Sequence, residues 1–178
     1  MRKIILAGYG GQGMMLCGQI LAYAAMLEDK YSTWVPSYGP EMRGGSAHCH
    51  VIVSDKPIGS PLIPCADVLV AMNQPSYDKF EELVAPGGTL IYNSSIISAG
   101  ESRTDIHYAT VDCARITEEL NNPKVGNMVA LGALNTLIGC VKEASIKDAL
   151  KYKLGYRKED LLHVNIRAIE AGRKAVIA

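Results

Sequence analysis

The stretch Ile4-Ile5-Leu6-Ala7-Gly8-Tyr9-Gly10-Gly11-Gln12-Gly13 runs from an apolar strand through a glycine-rich turn into 12–27, a run rich in Ala, Leu and Met. A G-x-G-x-x-G spacing between a strand and a helix is the opening unit of a doubly wound α/β sheet. Glycines permit a tight turn and close approach of the backbone. The helix that follows aims free N–H groups and its positive dipole end at whatever lies in front of it. Two readings stand on these residues alone: a phosphate-binding loop, and a glycine turn that only packs a helix on a sheet.

Outward from this unit the chain alternates strand and helix patterns. Residues 31–36 predict a second strand ending at Pro36, and 37–45 (Ser37-Tyr38-Gly39-Pro40-Glu41-Met42-Arg43-Gly44-Gly45) form a breaker-rich loop. Residues 46–54 predict a third strand, with His48, His50 and Ile52 on one face and Cys49, Val51 and Val53 on the other. It follows its predecessor too closely for a helical crossover, so the pair is expected to be antiparallel. A strand at 67–72, a helix at 76–84, a turn at Pro86-Gly87-Gly88, strands at 89–93 and 106–111, and helices at 113–120, 127–140, 145–153 and 158–176 complete the order. The expected fold is one Rossmann-like, three-layer α/β domain over residues 1–178, a mostly parallel sheet with helices on both faces. Ligands of such sheets sit at the carboxyl ends of the strands.

Charge and cysteine usage narrow the function. Lys plus Arg and Asp plus Glu both number 18, with no basic block of the kind that follows a phosphate backbone, so no nucleic-acid partner is expected. Neither a membrane span nor a signal-peptide pattern is readable, so a soluble cytoplasmic protein is expected. The five cysteines, Cys17, Cys49, Cys65, Cys113 and Cys140, include no C-x-x-C pair. That fits reduced thiols and argues against zinc or an iron–sulfur cluster on this chain.

An NAD site would need an acidic residue about 20 residues beyond the glycines, at the end of the second strand. Val35-Pro36-Ser37 stands there, while Glu28 and Asp29 precede the strand, so a nicotinamide dehydrogenase is disfavoured and phosphate recognition survives. In a doubly wound sheet the loops after strands one and two lie side by side. Arg43 would then face the same anion as Gly10 to Gly13, or stand solvated in a tight turn. His48 and His50 have metal-pair spacing without a third ligand, and fit a half-buried strand face better. Asn127, after Gly126 at a helix start, suits an N-cap, and Asn93, Ser94 and Ser95 end a strand where they would reach a ligand or make a turn. No acid–base or nucleophilic constellation stands out, which points to a binding role.

Together, Gly8-Tyr9-Gly10-Gly11-Gln12-Gly13, Ser37 to Ala47, Ala71-Met72-Asn73-Gln74-Pro75 and Pro86-Gly87-Gly88 resemble the gamma subunit of 2-oxoacid:ferredoxin oxidoreductases, closest to the 2-oxoglutarate and 2-ketoisovalerate types. The resemblance implies a complex that oxidatively decarboxylates a 2-oxoacid, reduces ferredoxin and releases acyl-coenzyme A. It places thiamine diphosphate with Mg on alpha and beta subunits and iron–sulfur clusters on beta or a delta subunit. This chain, inactive alone and carrying no catalytic residue, would help bind coenzyme A. Carried over by position, Gly10, Gly11, Gln12 and Gly13 would meet phosphate, Arg43 would neutralise it, and Asn127 would contact the ligand from a helix start. An indolepyruvate-type subunit of the same superfamily and a purely structural assembly subunit remain as alternatives.

Overall fold

The computed structural model describes residues 1–38, 46–155 and 159–178. Six strands, β1 (Arg2–Tyr9), β2 (Tyr31–Tyr38), β3 (Ser46–Ser54), β4 (Ala66–Ala71), β5 (Val84–Asn93) and β6 (His107–Val111), form one sheet in the order β2-β3-β1-β4-β5-β6. The helices are α1 (Met14–Met26), α2 (Gln74–Phe80), α3 (Cys113–Glu119), α4 (Gly126–Ile138), α5 (Glu143–Leu154) and α6 (Glu159–Ala175). β1, β4, β5 and β6 pair in parallel, and β3 runs antiparallel to both β1 and β2.

The central position of β1 follows from its composition. Ile4, Ile5, Leu6 and Ala7 are all buried, a continuous apolar run suited to a strand covered on both sides. One face, including Ile4, Leu6, Val51, Val70 and Ile91, packs under α1 and α3 to α6. The other, with Ile5, Ile52, Leu69 and Leu90, is covered by Tyr77 and Phe80 of α2 and by Ile97 and Ile106 of the β5–β6 connection. The expected three layers are present but lopsided: among the described residues one short α-helix stands opposite five. Among the described residues no helix is long and apolar enough to cross a membrane.

Three local expectations are corrected. β2 continues through Pro36 to Tyr38 because it is the edge strand, where one row of backbone groups has no ladder partner and a proline is tolerated. Pro86-Gly87-Gly88 is not a turn but an irregularity inside β5. There the ladder to β4 jumps from Ala66–Val84 to Val68–Thr89, and the Gly87 N–H donates to Asp105 O at 2.6 Å. β1 and β2 are not neighbours, since β3 lies between them. Their carboxyl ends nonetheless share one edge, with Tyr9 opposite Ser46 and Tyr38 opposite Ala47.

Candidate functional site

At that edge lies a cavity of about 440 Å³. Gly11 and Gln12 line it from the turn after β1, Met72 from the end of β4, and Asn93, Ser95 and Ile96 from the end of β5. Cys113, Ala114 and Thr117 of α3, Pro123 and Lys124 of the short turn before α4, and Gly126 and Asn127 at the start of α4 complete it. The volume falls within the roughly 300–1,000 Å³ of small-molecule sites. After β1 the chain builds β2 and β3 on one side, then β4 to β6 on the other, so the β1–β4 boundary is the topological switch point.

The glycine loop delivers an open helix start. Gly13 takes a left-handed conformation, φ 76, and serves as N-cap of α1 without any side-chain cap. The first helical bond is Cys17 N–H to Gly13 O at 3.1 Å. The preceding N–H groups of the helix therefore lack intrahelical acceptors. Gln12 is occupied differently from Gly11. Its Oε1 accepts from Tyr9 N at 2.6 Å and its Nε2 donates to Met72 O at 3.1 Å, tying the ends of β1 and β4 together.

Asn127 is not the N-cap expected for α4. That position belongs to Val125, which offers no side-chain cap. Asn127 sits inside the first turn, 7% exposed, with Oδ1 accepting from Met128 N at 3.0 Å and Nδ2 donating to Gly13 O at 3.3 Å. Its own carbonyl accepts from Cys17 Sγ at 3.0 Å. Asn127 thus braces the starts of α1 and α4 against each other.

α3 is built the opposite way. Asp112 accepts from Arg115 N at 3.0 Å, Asn93 Oδ1 from Cys113 N at 3.2 Å, and Ser95 Oγ from Ala114 N at 3.0 Å. Asn93 and Ser95 therefore make the turn after β5 and close the α3 start. Side chains cap α3; α4 has no cap at Val125 but its Met128 N–H is taken by Asn127 Oδ1, and α1, entered from the cavity-lining Gly11 and Gln12, has no side-chain cap.

Lys124, which sequence reasoning did not single out, also lines the cavity. The local signal was present: Asn122 caps Lys124 N at 3.0 Å and Pro123 follows it, an Asn-Pro start to a short 3-10 turn. Its nearness to the glycine loop arises only through tertiary structure. Arg43, with Glu41 and the rest of 39–45, lies outside the described residues. β2 leaves, and β3 enters, at the cavity's edge of the sheet.

Residues 3–175 match the pyruvate ferredoxin/flavodoxin oxidoreductase family. The chain belongs to that family. It is 37% identical over 171 residues to ketoisovalerate oxidoreductase subunit VorA of Methanothermobacter thermautotrophicus, covering 96% of this chain and 35% of that protein. The chain thus spans about a third of the length of that relative. It is 39% identical over 152 residues to 2-oxoglutarate synthase subunit KorC of Methanocaldococcus jannaschii, covering 84% of this chain and 81% of that subunit. Among solved structures, the keto/oxoacid ferredoxin oxidoreductase gamma subunit of Geobacter sulfurreducens superposes with a TM-score of 0.83 at 29% identity, covering 98% of this chain and 97% of that one. The 2-oxoglutarate:ferredoxin oxidoreductase of Magnetococcus marinus, with 2-oxoglutarate, coenzyme A and succinyl-CoA bound, superposes with a TM-score of 0.90 at 25% identity, covering 98% of this chain and 31% of that one.

In this member of the pyruvate ferredoxin/flavodoxin oxidoreductase family the cysteines are all free thiols. Burial, with the Asp112 carboxylate nearby, pushes Cys113 up to about 12; burial also takes Cys49 up to about 12 and raises Cys17. Thiols held protonated are poor nucleophiles. His48 and His50 lie half-buried on the thinly covered face, ring centroids 5.5 Å apart. Among the described residues no cluster of three or more His, Cys, Asp or Glu could hold a metal ion.

Proposed function

We propose that this chain is the gamma subunit of a 2-oxoacid:ferredoxin oxidoreductase of the 2-oxoglutarate type, and that its cavity helps bind coenzyme A. The observation that carries the proposal is the convergence, on one cavity at the switch point, of the glycine loop that leads into the uncapped α1 and of the start of α4. Such a site offers N–H groups and positive dipole ends to phosphate oxygens, and a diphosphate-bearing co-substrate answers that chemistry. The 2-oxoglutarate synthase relative and the coenzyme A-bound Magnetococcus enzyme support the 2-oxoglutarate reading, beside a ketoisovalerate relative of similar identity.

In this reading Gly10, Gly11 and Gly13 shape the phosphate-binding turn, Asn127 holds the two helix starts in register, and Arg43 adds charge. Alpha, beta and delta subunits would carry thiamine diphosphate, Mg and the iron–sulfur clusters, with ferredoxin as acceptor. The chain itself contributes position and binding energy.

A second reading, an assembly subunit whose loop only packs helix on sheet, is favoured by the bonds that engage Gln12 and Asn127 within the protein. Purification of the native complex separates the two. Dye reduction with 2-oxoglutarate, 2-ketoisovalerate, pyruvate and indolepyruvate identifies the acid, and calorimetry of coenzyme A on complexes carrying Arg43→Ala or Asn127→Ala tests the site. Weakened coenzyme A binding in an assembled complex supports the binding role; wild-type affinity in both variants supports the assembly role.

A further inference from the structure

We infer that the open edge of the sheet, strand β2, pairs with β2 of a second copy of this chain, antiparallel about a two-fold axis at Thr33. The two edges of the sheet are finished differently. At β6 the chain's own tail closes the edge: Thr110 N–H donates to Ile177 O at 2.7 Å, and Ile177 N–H to Thr110 O at 3.0 Å. At β2 no described residue pairs with the outer side, although the strand is eight residues long against five in β6.

The bonds between β1 and β4 fix which backbone groups of β2 face outward. Ala7 O accepts from Met72 N at 2.9 Å and Lys3 N donates to Asp67 Oδ2 at 2.8 Å, so odd residues of β1 aim their backbone at β4 and even ones at β3. Alternation through the β1–β3 and β2–β3 registers then turns Thr33 and Val35 toward β3, and Ser32, Trp34 and Pro36 outward. The N–H and C=O of Ser32 and Trp34 are the groups left to form a new ladder, and Pro36, which has no N–H, ends it.

The sequence of the strand selects a second copy as the occupant. Residues 31–38 carry no charge, whereas edge strands kept single are commonly blunted by charged side chains. A two-fold at Thr33 lets Ser32 and Trp34 exchange backbone bonds both ways. It sets Thr33 opposite its own copy and Tyr31 opposite Val35, and Thr–Thr and aromatic–β-branched pairs are favourable cross-strand neighbours. Pro36 then falls opposite Lys30, whose N–H already donates to Ala25 O at 3.1 Å, so neither lacks a bond there. α1, the helix that packs over β2 and β3, is likewise uncharged from Met14 to Met26 and brings no repulsion to the axis.

The test is disulfide trapping in the purified complex, in a Cys65→Ser background because Cys65 is the exposed native thiol. Cα atoms of a non-hydrogen-bonded antiparallel pair lie about 4.5 Å apart, within the range a disulfide spans. Mild oxidation of Thr33→Cys is expected to give a species of twice the 19.2 kDa chain mass on a non-reducing gel. Tyr31→Cys combined with Val35→Cys should give it as well, while Ser37→Cys, past the ladder, should stay single. Linkage to a different subunit would overturn the inference, since another chain would then hold the edge. Absence of a linked pair from both the Thr33→Cys and the Tyr31→Cys, Val35→Cys variants would overturn it too, as would equal linkage in Ser37→Cys, the mark of random collision.

Discussion

Asn127 Nδ2 donates to the carbonyl of Gly13 at 3.3 Å, and a Cβ added to Gly13 would lie 2.4 Å from that same nitrogen. Two helix starts separated by 114 residues in sequence are thereby locked in van der Waals contact. Gly13→Ala has two faults: an L side chain at φ 76, and a methyl group where Asn127 sits. The expected loss is about 1–3 kcal/mol, read as a lowered unfolding midpoint of the purified complex. Adding Asn127→Ala should relieve the contact and recover part of the loss, a coupling that a double-mutant cycle measures.

The crossing of α4 and α6 makes a second, stricter demand. A Cβ on Gly132 would lie 2.0 Å from Ile169 O, and one on Gly172 would lie 2.0 Å from Val129 O. Backbone cannot swing aside as a side chain can, so the helices would have to separate. Gly132→Ala and Gly172→Ala are each expected to cost about 1–3 kcal/mol, and together less than the sum, because the first already opens the crossing. Thermal unfolding of the single and double variants checks both statements.

His48 provides a pH signature. Burial, with His50 and Lys79 nearby, lowers its pKa to about 4, its ring lies 4.7 Å from that of Phe80, and Nδ1 finds no hydrogen-bond partner among the described residues. Unfolding returns the imidazole to its ordinary value of about 6.5, so the unfolded chain binds the proton more readily. The stabilising contribution is thus present above pH 6.5 or so and lost as pH falls toward about 4. Carboxylates held low, such as Glu143 and Asp105, lose stability in acid as well, so the comparison must be between variants. His48→Leu should flatten part of the wild-type decline in melting temperature from pH 6.5 to 4; an unchanged slope would contradict the assignment.

What could be read from the chain depended on how local the cause was. The opening β-α unit was legible because glycine spacing and apolar runs are local. Antiparallel β3 was legible because so few residues separate it from β2. The continuation of β2 past Pro36 was hidden, since a proline is tolerated there only by virtue of an edge position. The Asn93 and Ser95 caps and the Asn127 brace were hidden for the same kind of reason: their partners, Cys113, Ala114 and Gly13, are brought to them by the fold. Lys124 carried a readable turn signature, but nothing near it in sequence pointed to the glycine loop.

The most direct measurement is calorimetry of coenzyme A on purified complexes carrying Gly11→Ala and Gly11→Asp. Gly11 has φ 98, and a Cβ built there meets nothing within 4 Å, so both variants carry the cost of an L residue at positive φ, and Gly11→Asp adds a carboxylate. A carboxylate at the cavity wall should weaken coenzyme A at least about tenfold relative to the alanine variant, or about 1.4 kcal/mol, with the effect shrinking as salt rises. Assembled complexes in which Gly11→Asp, Gly11→Ala and wild type bind coenzyme A equally would contradict a phosphate site at the glycine loop.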